Sequence, residues 1–211
     1  MHVLEAIRSR RSIRQFDATH ELSDEDLRTL IEAGCLAPTS FNIQNWHFVA
    51  VRDKAVQLKL RAASFNQAQV EEASLTLIIT GRLDAHVDPS RVLRHAPEDL
   101  RKMFKGMIQG FYGKDEVLAM QEACRSVAFA GQNIMLAARA MGLDSCAMIG
   151  FEPHTVADIL GLPEEYPALL MLTIGKALQP ARPRMGLLSF EEVLSTDRFG
   201  VHGIHGELNE A

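Results

Sequence analysis

Cysteine is scarce in this chain: Cys35, Cys124 and Cys146 are the only three in 211 residues, and no two stand in CxxC spacing. An odd number without ligand or redox spacing excludes a disulfide framework and a zinc ribbon. The three therefore read as buried small hydrophobes in a reducing compartment. Positive charge is also in deficit. Lys and Arg number 22 against 27 Asp and Glu, a formal net charge of −5, which argues against sequence-blind nucleic-acid binding because that affinity comes from phosphate neutralisation. No stretch of ~18 uncharged apolar residues occurs, and the first eight residues lack a long apolar run with a small-residue cleavage site. A cytoplasmic protein with no membrane segment and no nucleic-acid partner is the expectation. The fingerprints GxGxxG and GxxxxGK[ST] are missing, as are HExxH, GxSxG and the EF-hand pattern. No metal site is expected, and any anion site must be local and of another design.

The rest of the composition is that of a soluble globular chain, 47% hydrophobic and 23% charged. At roughly 150 residues per domain the length predicts one domain, large enough to bury about 70% of its unfolded surface without a staple. Val3, Leu4 and Ile7 recur at helical spacing, and Ser23 with Asp26 has capping-box form ahead of Leu27, Leu30 and Ile31. That second helix should stop before Pro38, and a polar loop, residues 39–45, should feed a strand over 46–51. A helix over 55–63 and buried strands over 75–80, 146–149 and 169–174 follow from the apolar patterning. Residues 84–114 carry Pro89, Pro97 and glycines at 106, 110 and 113, so broken, peripheral and mobile helices are expected there. Residues 115–141 read as one helix roughly 40 Å long, rich in alanine and ended by Gly142. Its small residues on several faces predict close packing on more than one side and a candidate subunit contact. A helix over 153–160, with Pro153 near its start and Gly161 past its end, and a short one near 191–194 complete the reading. With about four strands, two of them covered on both faces, this predicts an α+β or α/β three-layer domain. Of the eight histidines only His202 and His205 are close together, in a Gly-rich tail that reads as a terminus and not as a metal site.

Two clusters of arginine stand out in an acidic chain. Arg10-Arg11-Ser12-Ile13-Arg14 sets three planar guanidiniums beside a hydroxyl, a donor set suited to a phosphate dianion. A solvated turn at a helix C-terminus is the plainer alternative. Arg182-Pro183-Arg184 carries the same two readings, and a phosphate could bring the two clusters together. Pro38-Thr39-Ser40-Phe41-Asn42 is polar enough to line a ligand or to be a surface loop.

Taken in order, RRSIRQF, LAPTSFNIQNWHF, FNQAQVEEAS, GQNIMLAARAMGLDSCAMIGF and LTIGKALQPARPR resemble the FMN-dependent nitroreductase family. The resemblance covers nearly the whole chain outside about 84–114. The segment Cys146 to Phe151 and the final Arg-Pro-Arg look most like the small bacterial NAD(P)H nitroreductase branch. The resemblance implies an α+β three-layer fold, a central mixed and mostly antiparallel sheet flanked by helices, and an intertwined homodimer with two shared FMN sites. It also implies one FMN-binding domain over 1–200, with 84–114 as a variable lid or peripheral helices and 201–211 as a flexible tail.

Carried over by position, Arg10, Ser12 and Arg14 match residues that bind the FMN phosphate and ribityl chain, with Arg11 as flanking charge. Arg182 and Arg184 match a basic pair that closes on the same phosphate. Asn66 and Gln69 match positions at the pyrimidine edge of the flavin. Pro38, Thr39, Ser40 and Asn42, from the partner chain, match the loop beside it, and Ile149 with Gly150 matches the turn near flavin N5. Two departures stand out: Asn45 where family members often have Pro, and Ile149 where many have Glu, so any contact at N5 from residue 149 must be a backbone one. The implied activity is reduction of nitroaromatics or quinones by NAD(P)H, in ping-pong fashion through the flavin. Reductive dehalogenation or reduction of an activated C=C bond on the same fold is an alternative. A non-enzymatic flavin-binding or regulatory domain is a further one.

Overall fold

The computed structural model describes residues 1–208. Four strands form the centre: β1 (Trp46–Val51), β2 (Leu75–Gly81), β3 (Asp144–Met148) and β4 (Ala168–Gly175), in the order β1-β2-β4-β3. All three pairings are antiparallel, with Leu77 opposite Leu172 and Val49 opposite Ile78. The expected mixture of directions reduces to one isolated parallel bridge, Ser12 to Ser145, outside the named strands. β3 begins two residues earlier than the apolar pattern suggested and leaves Ile149 outside the sheet.

Side-chain alternation sends the two faces of this sheet into two cores. Leu75, Leu77, Ile79, Leu172 and Ile174 face α7 (Glu116–Ala140) and α2 (Asp24–Cys35), meeting Leu30, Val127, Ala130, Ile134 and Ala138. Ile78, Met171, Cys146 and Met148 face α3 (Lys54–Ala63), α4 (Gln69–Glu72) and α8 (Pro153–Leu160) through Leu60, Val70 and Val156. This is the three-layer α+β arrangement, with a central sheet buried on both faces. α7 packs on more than one side, as its small residues require. An added Cβ at Gly81 on β2 would lie 2.6 Å from Ala123 Cβ, and one at Gly131 would lie 2.6 Å from Leu170 Cδ2.

Local signals set the ends. Ser23 Oγ accepts from Asp26 N at 3.0 Å while Asp26 returns a bond to Ser23 N, capping α2. Gly142, at φ +75°, turns the chain out of α7, and Gly161, at φ +64°, ends α8. Two readings are corrected. Residues 84–114 hold a short helix, α5 (Ser90–Leu93), and one continuous fifteen-residue helix, α6 (Glu98–Tyr112). α6 runs through Gly106 and Gly110, where an added Cβ would meet nothing, because Ile108 and Tyr112 anchor its inner face in a cluster with Ile43, Ala85 and Leu93. Of the three cysteines only Cys146 is buried; Cys35 and Cys124 lie on the outward sides of α2 and α7.

The segment 13–17 near the N-terminus and the segment 176–178 after β4 are tied to the sheet and to each other. Ile13 N donates to Ser145 O at 3.1 Å, Asp17 N to Lys176 O at 2.9 Å and Leu178 N to Gln15 O at 2.9 Å. Further on, Gly206 O accepts from Phe190 N in α9 (Phe190–Val193), and His205 Nδ1 lies 3.0 Å from Glu191 Oε1. Val201, His202, His205 and Gly206 of the tail thus have hydrogen-bond partners, while residues 209–211 of the expected tail lie outside the described residues. Among the described residues no helix is long and apolar enough to cross a membrane.

Candidate functional site

The pairing of residues 15–17 with 176–178 brings the two basic clusters together. Arg10, Arg11, Ser12 and Arg14 from one end and Arg182 and Arg184 from the other line one cavity of about 640 Å³, with Gln15 and Gln179 also on its wall. Arg11 Nη2 donates to the carbonyl of Arg182. Arg184 Nη2 donates to Arg8 O at 2.9 Å and to Arg10 O at 3.3 Å. Among the described residues none of the five arginines has a carboxylate within 4.0 Å; the carboxylate pairs formed there use Arg52, Arg61, Arg82, Lys102, Arg125, Arg139 and His205. Burial, and then the neighbouring Arg184 and Arg11 charges, push the Arg10 pKa down, so its charge is poorly compensated. Cationic donors held against neutral carbonyls, with the charge left over, suit a phosphate dianion.

β3 leads from this cavity to a second group. Cys146 sits at its centre, its thiol pushed up by burial and pulled back by Arg14, Ser12 and Arg10. Three residues on, roughly 10 Å at ~3.3 Å per strand residue, Ile149 and Gly150 form the turn that leaves the strand. Gln67 Nε2 donates to Gly150 O at 3.0 Å, and Gln69 Nε2 donates to Gln67 Oε1 at 3.0 Å. The segment 66–69 and the 149–150 turn are therefore one unit. Asn66 is exposed at φ +56°, free to meet a ligand. Gln69 is only 5% exposed and also reaches Met148 Sδ at 3.7 Å, so its amide donor supports Gln67 and the strand. Gln67 was missed in the sequence; its alternation with Gln69 in FNQAQ is the signal that could have marked it.

The loop with Pro38, Thr39, Ser40 and Asn42 lies elsewhere, against α6 and α7. Ser40 N donates to Glu122 Oε1 at 3.2 Å and Gln44 N to Thr39 Oγ1 at 3.1 Å. Phe41, Asn42 and Gln44 all hold positive φ, between 45° and 53°, a strained run for residues with side chains. Phe41 is clamped edge-on by Phe111 at 5.9 Å and Tyr112 at 6.2 Å. Within one chain these loop residues share no wall with the arginine cavity. Behind the loop, a hollow of about 10 Å³ is lined by Asn45, Tyr112 and Glu122; among the described residues Asn45 Oδ1 has no hydrogen-bond partner, and Tyr112 Oη has at most a weak contact with Ser40.

The sequence profile of the Nitroreductase family matches residues 7–176, which takes in the first arginine cluster, all four strands and the 149–150 turn. The chain belongs to the nitroreductase family. Its family relatives include the protein DrgA of Synechocystis sp., 43% identical over 86% of this chain and 87% of that one. An NADH dehydrogenase of Thermus thermophilus is 36% identical, covering 77% of this chain and 82% of its own. Among solved structures, a nitroreductase-type protein of Exiguobacterium sibiricum in complex with FMN superposes with a TM-score of 0.82 at 28% identity, over 89% of this chain and 94% of that one. This member keeps an apolar side chain at the turn: Ile149 is 81% exposed, with no packing role of its own within one chain.

Proposed function

We propose that this protein is an FMN-dependent oxidoreductase that takes reducing equivalents from NADH or NADPH and passes them to nitroaromatics or quinones. The observation that carries the reading is the cavity in which five arginines from both ends of the chain meet without a carboxylate among the described residues. Arg10, Ser12, Arg14, Arg182 and Arg184 would hold the FMN phosphate. Asn66 would donate to the pyrimidine edge, and Gln69 would steady it through Gln67 and the Gly150 carbonyl. Bound FMN supplies the redox chemistry, accepting hydride and releasing it, so the chain needs no catalytic dyad of its own. What the protein contributes is a fixed phosphate anchor, amide donors along the strand and an open side at Ile149 where donor and acceptor take turns, which predicts ping-pong kinetics. The Thermus relative's name supports a nicotinamide donor and the Exiguobacterium structure supports FMN.

The site is completed by a second copy of the chain. Pro38, Thr39, Ser40 and Asn42 do not line the arginine cavity of their own chain, and Leu36, Phe129, Leu4 and Ile7 leave apolar side chains exposed beside α1 (Val3–Ser9), α2 and α7, surface that a homodimer would cover. Residues 84–114 then act as the lid over the open flavin face. The purified protein should be yellow, or quench flavin fluorescence on adding FMN, and NADH or NADPH should bleach it, with menadione or nitrofurazone restoring the colour. A protein that stays colourless and leaves flavin fluorescence untouched would sink the proposal, and a monomeric mass in light scattering would remove the shared site.

A further inference from the structure

The turn that leaves β3 is held by its carbonyls. Phe151 N donates to Ile149 O at 3.0 Å, closing the chain on itself, and the half-buried Gln67 donates from Nε2 to Gly150 O, also at 3.0 Å. Just beyond, Glu152 N donates to Ala63 O at 2.9 Å, at the end of α3. Both carbonyls of the turn are therefore taken, whereas among the described residues the Gly150 N–H has no acceptor. The Gln67 amide can point only one way. A carbonyl oxygen can be met only by its NH2 end, and its oxygen end is occupied by Gln69 Nε2 at 3.0 Å. The fit is close, since a Cβ added at Gly150 would lie 3.3 Å from Gln67 Nε2. Glycine at this position lets the following peptide rotate at little steric cost, so it is the Gln67 amide, more than the backbone, that fixes where the carbonyl points.

We infer that Gln67 is a positioning residue that decides which backbone group the turn offers to flavin N5: it pins the Gly150 carbonyl on its own side and leaves the turn with N–H groups alone to present. The inference rests on the proposed flavin site, in which this turn lies beside N5. In oxidised flavin N5 accepts a hydrogen bond; in reduced flavin it carries a hydrogen and needs an acceptor. A turn restricted to donors gives the oxidised form a bond that the reduced form cannot keep, which makes the bound reduced flavin the stronger reductant. Without the Gln67 amide, the peptide between Gly150 and Phe151 keeps, among the described residues, the single bond from Phe151 N to Ile149 O. Its rotation would then bring a carbonyl to the N5 hydrogen and favour the reduced form.

The test compares the parent with Gln67→Met, which keeps an unbranched side chain of similar reach and removes the amide. The reduction potential of each FMN-loaded protein is read by equilibration with a reference dye. Gln67→Met should favour reduced over oxidised flavin by about tenfold more than the parent, the worth of one hydrogen bond, and a tenfold change is a potential about 30 mV more positive for a two-electron couple. In flavin-free protein the Phe151 amide should exchange with deuterium about tenfold faster in the variant, because its peptide has lost one of two anchors. Gln67→Asn, whose amide is one methylene short, should fall between the two and serves should Gln67→Met not fold, as judged by circular dichroism. A folded, FMN-loaded variant whose potential stays within about twofold of the parent, roughly 9 mV, or moves to more negative values, overturns the role of Gln67; a lowered Tm with an unmoved potential would show a structural contact alone. Failure of the parent to bind FMN would overturn the flavin reading instead, while the exchange of the Phe151 amide would still decide whether Gln67 pins the turn.

Discussion

Arg10→Met should act with opposite signs on the free and the flavin-bound protein. Met keeps an unbranched apolar stem of similar reach and removes the charge. Among the described residues the Arg10 guanidinium donates no hydrogen bond and pairs with no carboxylate, so the free protein loses no specific contact. What it loses is repulsion from Arg184 and Arg11 and the desolvation that together lower the Arg10 pKa. For partly exposed like charges this is about 0.5–1 kcal/mol in favour of the variant, or a rise of roughly 1–4 °C in Tm for a chain of this size. Toward FMN the sign reverses. One charge-assisted contact to phosphate is worth about 1.5–3 kcal/mol, so affinity should fall by about tenfold to a hundredfold. At a fixed FMN concentration the ligand's stabilisation shrinks by the same amount, and the variant should melt below the parent. Scanning calorimetry with and without FMN, beside fluorescence titration of the flavin, reads both signs. A variant that is less stable without FMN, or that binds FMN within about twofold of the parent, refutes the assignment of Arg10 as an uncompensated cation waiting for phosphate.

Gly81→Ala should cost about 1–3 kcal/mol, because the new Cβ would sit 2.6 Å from Ala123 Cβ and 3.5 Å from Ala123 Cα on a helix that cannot retreat; the urea midpoint should fall with an unchanged slope. Tyr112→Phe should change stability by less than about 1 kcal/mol, since among the described residues the buried hydroxyl makes no well-formed hydrogen bond and has only a weak contact with Ser40 to lose; a loss above ~2 kcal/mol would show that the hydroxyl is firmly bonded. Asp84 is held below its ordinary pKa by its hydrogen bond from Arg82. A lowered carboxyl adds stability that is present above its unfolded pKa, near 3.8, and is lost as pH falls through the folded value. Asp84→Asn should therefore flatten the acid limb of a Tm-against-pH curve and leave the slope above pH 6 as it was.

The sheet was legible chiefly through β2 and β4, which are continuous apolar runs, and α2 because Ser23 and Asp26 announce its start. α6 was not, since proline and glycine counts outweighed its apolar residues. In the fold Gly106 and Gly110 face open space, where each costs only about 1 kcal/mol of helix propensity, and the anchoring of Ile108 and Tyr112 offsets that. The exposure of Cys35 and Cys124 was equally hidden, because which side of a helix meets the sheet is decided by partners far away in sequence. At the site, the chemistry of the arginines was readable from residue type alone. Their meeting depends on the register of 15–17 against 176–178, a long-range pairing that leaves no local pattern. Gln67 escaped for a related reason: its carbonyl partner belongs to Gly150, on another element.

The way the arginines are held explains how a chain of net charge −5 can keep a cationic cavity. A carboxylate beside Arg11 or Arg184 would have stabilised the free protein, but it would compete with any anionic ligand and leave that ligand less to gain. Backbone carbonyls do something different: Arg182 O fixes Arg11, and Arg8 O with Arg10 O fixes Arg184. Each bond orients a guanidinium without cancelling its charge, so orientation is built in before the anion arrives while the attraction is still available to it. Acidic residues are placed elsewhere, some of them paired with Arg52, Arg61, Arg82 and Arg139. Keeping acids away from the cavity is therefore as much a part of the site as the arginines are, and introducing a single carboxylate at its wall would weaken it without removing any ligand-contacting residue.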